Sequence, residues 1–193
     1  MKFKTLHEKA KSLDVLIDEY MKTRQTGFVP FRSLEKMVVS VFPDAVRVSF
    51  GLHKLVFRLN HKSHLLALKV GKAEAVELDH KSYKQLPQAE RHAYFARVFW
   101  HTKYSLLQEW GVEVEVSPQQ LAGVRALAGK YGLLDITCDN IRSVNGTLKI
   151  IDAVIAPQGM FKLWKIYDSF NQRLPPPVRN AIRKSRLLTT VKQ

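Results

Sequence analysis

Residues 141–152 read IRSVNGTLKIID. An Asn-Gly pair between two alternating runs is the strongest short-range signal for a β-hairpin. The favoured two-residue turn needs positive φ at both central positions, which Asn and Gly adopt at low cost. The hairpin has a chemical consequence. It brings Asn140, just before the first strand, near Asp152, just after the second. An amide oxygen and a carboxylate held together are hard ligands of the kind Mg²⁺ takes, alongside phosphate oxygens. Asp135, five residues before Asn140, is placed to face an incoming hydroxyl. Asp139 reads as a turn or capping residue, because Asp-Asn favours turns. Taken singly, each of these residues is what any polar loop ahead of a hairpin would carry. Together they ask for a partner, since acidic groups beside apolar strands are costly to bury alone.

The upstream pattern sets the fold class. Residues 4–22 carry an apolar stripe of Leu6, Ala10, Leu13, Leu16, Ile17 and Tyr20 at helical spacing. A second short helix follows, with Ser33 as its cap and its end before Pro43. Then AVRVSFG, KLVFRLN and HLLALKVG predict three antiparallel strands, with Gly51 in the first gap and residues 60–63 in the second. A helix over about residues 73–86 ends at Pro87. Two further strands are expected in AYFARVFW and YSLLQEW, and a helix over 118–130 starts at Ser117-Pro118. The last 40 residues predict two basic amphipathic helices divided by LPPPVR. The class is α+β. The expected segments are a helical extension over 1–40, a sheet-bearing segment over 41–110, and a smaller, mostly helical segment over 111–193.

Lys69 lies in LALKVG, on the strand face that also carries Ala67, while Leu66, Leu68 and Val70 take the other face. A small residue beside a lysine leaves room for a flat ligand; the plainer reading is an edge-strand lysine in solvent. In the helix that follows, Val76, Asp79, Tyr83 and Leu86 share one stripe, and Glu77, Lys81 and Lys84 lie opposite. Asp79 is therefore an acid in an apolar stripe and wants a cation. It ranks above Glu77 as the partner of Lys69.

Composition narrows the class of partner. The chain has 193 residues, 46% of them hydrophobic, enough for one domain with a real core. No apolar run approaches the roughly 20 residues that cross a bilayer, and the first residues lack the apolar core of a signal peptide. Cys138 is alone, so no disulfide forms within the chain; cytoplasmic residence is expected, with the inner membrane surface as an alternative. Cys138 has no evident activating base, and the seven His residues show no metal-ligand spacing in sequence. A net charge of +14 points to a polyanion: nucleotide phosphate, nucleic acid or an anionic membrane.

With these residues in view, the chain resembles the protein-kinase-like superfamily over about residues 45–155. It is most similar to the compact atypical members: RIO-like, aminoglycoside-phosphotransferase-like and lipopolysaccharide-core-kinase-like enzymes. LALKVG resembles the strand that supplies the phosphate-binding lysine, DITCDN has the Asp-x-x-x-x-Asn spacing, and IIDAV resembles the metal-binding Asp-Phe-Gly segment. The resemblance implies a bilobal fold with a five-stranded antiparallel N-lobe, a reduced helical C-lobe and added N-terminal helices. It implies ATP and Mg²⁺ as cofactors. Lys69 would hold phosphates and pair with Asp79, and Asp135 would orient the acceptor hydroxyl. Asn140 and Asp152 would hold Mg²⁺, Gly51 would sit in the phosphate-covering turn, and backbone groups of Glu109, Trp110 and Gly111 would meet adenine. The covering turn has one glycine, with His53 or Lys54 as cationic substitutes; Leu133-Leu134 and Ala153-Val154 replace family residues. No Ala-Pro-Glu segment follows Asp152, so the expected acceptor is a small molecule, sugar or lipid-linked sugar in preference to a peptide. The alternative is a kinase-like binding module without transfer, holding nucleic acid or an anionic membrane.

Overall fold

The structure is a computed structural model that describes residues 3–50 and 53–155. Gly51 and the two basic C-terminal helices expected after residue 155 lie outside the described residues. Residues up to Ile155 belong to one compact unit. It is α+β, with a five-stranded antiparallel sheet and five α-helices among the described residues.

Two helices open the chain, α1 (Lys4–Arg24) and α2 (Phe31–Val41). The stripe of α1 buries Leu6, Ala10, Leu13 and Ile17. Leu16 is 38% exposed, because at 100° per residue it falls off the line through the other four. The expected Ser33 cap is corrected: the cap position is Pro30, three residues earlier, and Ser33 N–H donates to Pro30 O within the first turn, at 2.9 Å.

The meander is β1 (Val46–Phe50), β2 (Lys54–His61) and β3 (His64–Gly71), and the sheet is completed by β4 (Val98–His101) and β5 (Ser105–Glu109) in the order β1-β2-β3-β5-β4. β3 is therefore central, and its second half is buried on both faces. Leu66, Leu68 and Val70 join Phe57, Leu107 and the α1 and α2 stripes in one core cluster. Asp14 on α1 fastens the β4–β5 turn by accepting hydrogen bonds from Thr102 Oγ1 (3.0 Å), Lys103 N (3.0 Å) and Tyr104 N (3.2 Å).

The opposite face of β3 meets α3 (Ala73–Lys84). The strand expected over AYFARVFW is corrected. Its first residues end a helix, α4 (Gln88–Tyr94), and only Val98–His101 pair in the sheet. Pro87 supplies a fixed φ at the helix start, and the Arg91 guanidinium donates to Leu86 O at 2.9 Å, so the local segment coils before it extends.

Beyond the sheet, α5 (Pro118–Lys130) starts at a full capping box between Ser117 and Gln120. A short pair absent from the sequence reading follows: β6 (Leu133–Leu134) against β9 (Val154–Ile155). Between them lies the expected hairpin, β7 (Ile141–Val144) with β8 (Thr147–Ile150); φ is 51° at Asn145 and 78° at Gly146. A second core cluster gathers Tyr83, Leu86, Phe95, Ala128, Ile141 and Ile150 from these helices and the hairpin.

Candidate functional site

Four charged side chains from four separate segments, β2, β3, α3 and the chain just after the hairpin, meet at one place. Lys69 is only 4% exposed. Its alternation on β3 points it away from the first core cluster, on the face it shares with Ala67 and, across the register, Leu106 and Gln108. Lys69 Nζ donates to Ile151 O at 2.7 Å and to Asp79 Oδ2 at 3.2 Å, and lies 3.6 Å from Asp152 Oδ1. The second cation is Lys54, at the start of β2. Its Nζ lies 2.5 Å from Asp79 Oδ1 and 3.4 Å from both Asp152 oxygens.

Two ammonium groups thus face two carboxylates, and the cluster is neutral as a whole. Neutrality is what makes its burial tolerable, because an unpaired charge at this depth costs far more than a pair. Burial pulls Lys69 down, but Asp152 and Asp79 outweigh it and hold its ammonium above the usual lysine value. Burial likewise pushes Asp152 up, and Lys69 with Lys54 outweighs it, leaving the carboxyl below its usual range. Both groups are charged throughout the neutral range.

Lys54 arrives through a close backbone approach. A Cβ added at Gly71 would lie 2.1 Å from His53 O, and Lys72 N–H donates to that oxygen at 3.0 Å. Only glycine lets the start of β2 close on the end of β3 there.

The helical-face argument is realised: Asp79 is 8% exposed by side chain and paired with Lys69, whereas Glu77 is 46% exposed and faces Lys81 at 3.3 Å. The edge-strand reading of Lys69 is corrected by its place on a central strand. Asn140 and Asp152 are neighbours through the backbone, where Ile151 N–H donates to Asn140 O at 2.9 Å. Their side chains, however, have other partners. Asn140 Nδ2 donates to Asp135 O at 2.7 Å, and Asp152 is held by the two lysines. Asp135 is exposed and has φ 61°, a left-handed conformation that Asp tolerates better than most residues and that concentrates at functional sites. At the expected adenine strand, Glu109 N–H donates to Arg97 O (2.9 Å) and Trp110 N–H to Leu65 O (3.4 Å), so both donors are already used. Gly111 packs against Arg142, where an added Cβ would lie 2.4 Å from that side chain's Cβ.

The donor set suits a metal-bound polyphosphate: two ammonium groups for phosphate, and Asp152, one third exposed by side chain, for a hard cation. A cation would reach Asp152 by displacing a lysine from it. The cavity beside the cluster, walled by Tyr83, Phe95, Leu106 and Gln108, is about 10 Å³. That is room for about one water. A larger cavity, about 380 Å³, lies between α1, α2 and the start of α3, with Phe28, His53 and Lys72 on its wall.

Sequence reasoning missed the depth of Lys54, which entered only as a substitute for missing glycines, and missed Gln108, whose Nε2 donates to Ile151 O at 3.2 Å. It also missed a second cluster, Glu77, His80 and His101, in which the two imidazoles stack at 3.7 Å. Burial, helped by His101 and Lys84, pushes His80 down to about 4. Residues 80 and 101 show no ligand spacing in the chain; α3 packing on β4 joins them.

No family model matches the chain, and no curated protein matches it.

Proposed function

We propose that the chain is a kinase-like phosphotransferase that uses Mg-ATP to phosphorylate a hydroxyl on a small molecule, sugar or lipid-linked sugar. The observation that carries this reading is the charge cluster of Lys69, Asp79 and Asp152. A central-strand lysine, a helical acid and a post-hairpin acid meet in the order and on the elements that the resemblance calls for. The two core clusters are consistent with two lobes. In this reading Lys69 and Lys54 hold phosphate oxygens, and Asp79 positions Lys69. Asp152 and Asn140 hold the cation. Asp135 accepts or orients the proton of the acceptor hydroxyl. Bound Mg²⁺ supplies charge neutralisation at the transferring phosphate.

Three observations favour a second reading, a kinase-like module that binds nucleic acid or an anionic membrane without transfer. Asp152 is already neutralised by two lysines, and the adjoining cavity has room for about one water. The net charge of +14 exceeds what one nucleotide requires. Such binding weakens steeply as salt rises, because cation contacts to a polyanion release counterions.

Calorimetry and phosphate release on the full chain separate the readings. The phosphotransferase reading expects ATP binding that depends on Mg²⁺ and loses this dependence in Asp152→Ala. It also expects Asp135→Ala to bind Mg-ATP while turnover falls by about a hundredfold or more. Equal ATP affinity with and without Mg²⁺, in wild type and Asp152→Ala alike, overturns it. Salt-sensitive binding to RNA or anionic vesicles without phosphate release, unchanged in Asp135→Ala, favours the second.

A further inference from the structure

We propose that Glu77, His80 and His101 form a binding site for a divalent transition-metal ion, with Zn²⁺ the best fit, between α3 and β4. Glu77 and His80 are three residues apart on α3, the spacing that puts two side chains on one helical face. His101, the last residue of β4, comes to them from the sheet. The ligating atoms of the three lie within 4.8 Å of one another. His101 Nε2 is 3.4 Å from Glu77 Oε2. A tetrahedral zinc ion with bonds of about 2.0–2.1 Å holds its donors roughly 3.3 Å apart, so this pair already has the right separation.

The remaining adjustment is small and specific. His80 and His101 stack with an interplanar angle of 22°, and stacked rings direct their lone pairs in parallel rather than toward one point. Convergence needs rotation about the Cβ–Cγ bonds, a broad torsional well with little resistance. Both imidazoles are partly exposed, so an ion has a path from solvent.

Donor chemistry selects the ion. Two imidazole nitrogens and one carboxylate suit Zn²⁺, Ni²⁺ or Cu²⁺, whereas Mg²⁺ and Ca²⁺ want oxygen alone. Three protein ligands leave a fourth position for water, the open form of a zinc site. Lys81 competes for Glu77 at 3.3 Å, but its side chain is 62% exposed and an exposed pair of this kind is weak. The ion would join α3 to β4 without using any residue of the four-charge cluster, so the site is independent of the phosphotransfer reading.

The test titrates untagged, full-length protein with Zn²⁺ by calorimetry and follows its melting temperature. The expected result is one saturable Zn²⁺ per chain with a rise in melting temperature, since an ion that binds only the folded state stabilises it. Glu77→Gln, His80→Ala and His101→Ala should each weaken binding by about tenfold or more, the least that losing even a group behind a ligand costs. His64→Ala, at the β2–β3 turn, should leave it unchanged, and a tenfold excess of Mg²⁺ should not compete. Glu77 is exposed, so Glu77→Gln keeps the test valid if a histidine variant fails to fold. Absence of saturable binding, or wild-type affinity in Glu77→Gln and in the His80→Ala/His101→Ala double variant, overturns the proposal.

Discussion

The two faces of α3 carry the same kinds of groups to opposite effect. On the inner face, Asp79 is 8% exposed and closed off by Lys54 and Lys69. On the outer face, two residues earlier, Glu77 is 46% exposed and shares its charge with Lys81 and His101 across 3.3 and 3.4 Å. Both acids have cationic or polar partners at similar range. What separates them is water. An exposed pair gains about 0–1 kcal/mol because solvent screens it, whereas a buried group that loses its partner stays stranded in low dielectric. The comparison teaches that the acid whose removal matters is identified by its surroundings rather than by its contact distance.

The largest expected effect comes from breaking the inner face. Asp79→Ala leaves Lys69 buried with Asp152 as its remaining acid, and should cost about 3–5 kcal/mol, read as a lower denaturant midpoint. A Lys69→Met/Asp79→Leu double variant should be more stable than Asp79→Ala alone, because it removes both charges. If Asp79→Ala melts like wild type, the neutral-cluster account fails.

Next in size is the backbone approach that delivers Lys54. Gly71→Ala forces a Cβ against His53 O and should cost about 1–3 kcal/mol, the usual range for overpacking. Chemical shifts of Lys54 and Asp79 should move with it. A variant of unchanged stability would mean that β2 and β3 part there without consequence.

The outer face responds to pH rather than to truncation. His80 is held at about 4 in the folded chain against 6.5 unfolded. Between these values the unfolded state takes up a proton that the folded state refuses, so His80 lowers stability as pH falls from 6.5 to about 4 and contributes no slope above 6.5. His80→Gln should flatten that part of the stability curve; an identical slope in the variant would remove His80 as its source. The smallest effect is Glu77→Ala in metal-free buffer, expected within about 0.5 kcal/mol of wild type.

How much of this was legible in the chain depends on the range of the interaction involved. The Asn145-Gly146 hairpin, the helix start at Ser117-Pro118 and the three-strand meander rest on neighbours a few residues apart, and each was readable from local pattern. The inward placing of Asp79 over Glu77 was readable too, because helical periodicity assigns faces before any packing occurs. AYFARVFW has strand-like composition, yet only its end, from Val98, extends in the sheet, because the helix that starts at Pro87 runs on to Tyr94. The β6–β9 pair was not foreseen at all; two-residue strands carry no periodicity.

By itself, then, the sequence determined which residues of β3 and α3 share a face, where the hairpin turns, and that Asp79 is an acid needing a cation. Only the tertiary structure decided that Lys54 completes their neutrality, that Asn140 turns to Asp135 while Asp152 turns to the lysines, and that His80 and His101 stack. The physical reason is that periodicity and turn propensity are properties of adjacent residues. The pairing of buried charges is instead selected when separate elements close on each other, where each ammonium and carboxylate takes whichever partner the excluded water leaves within reach.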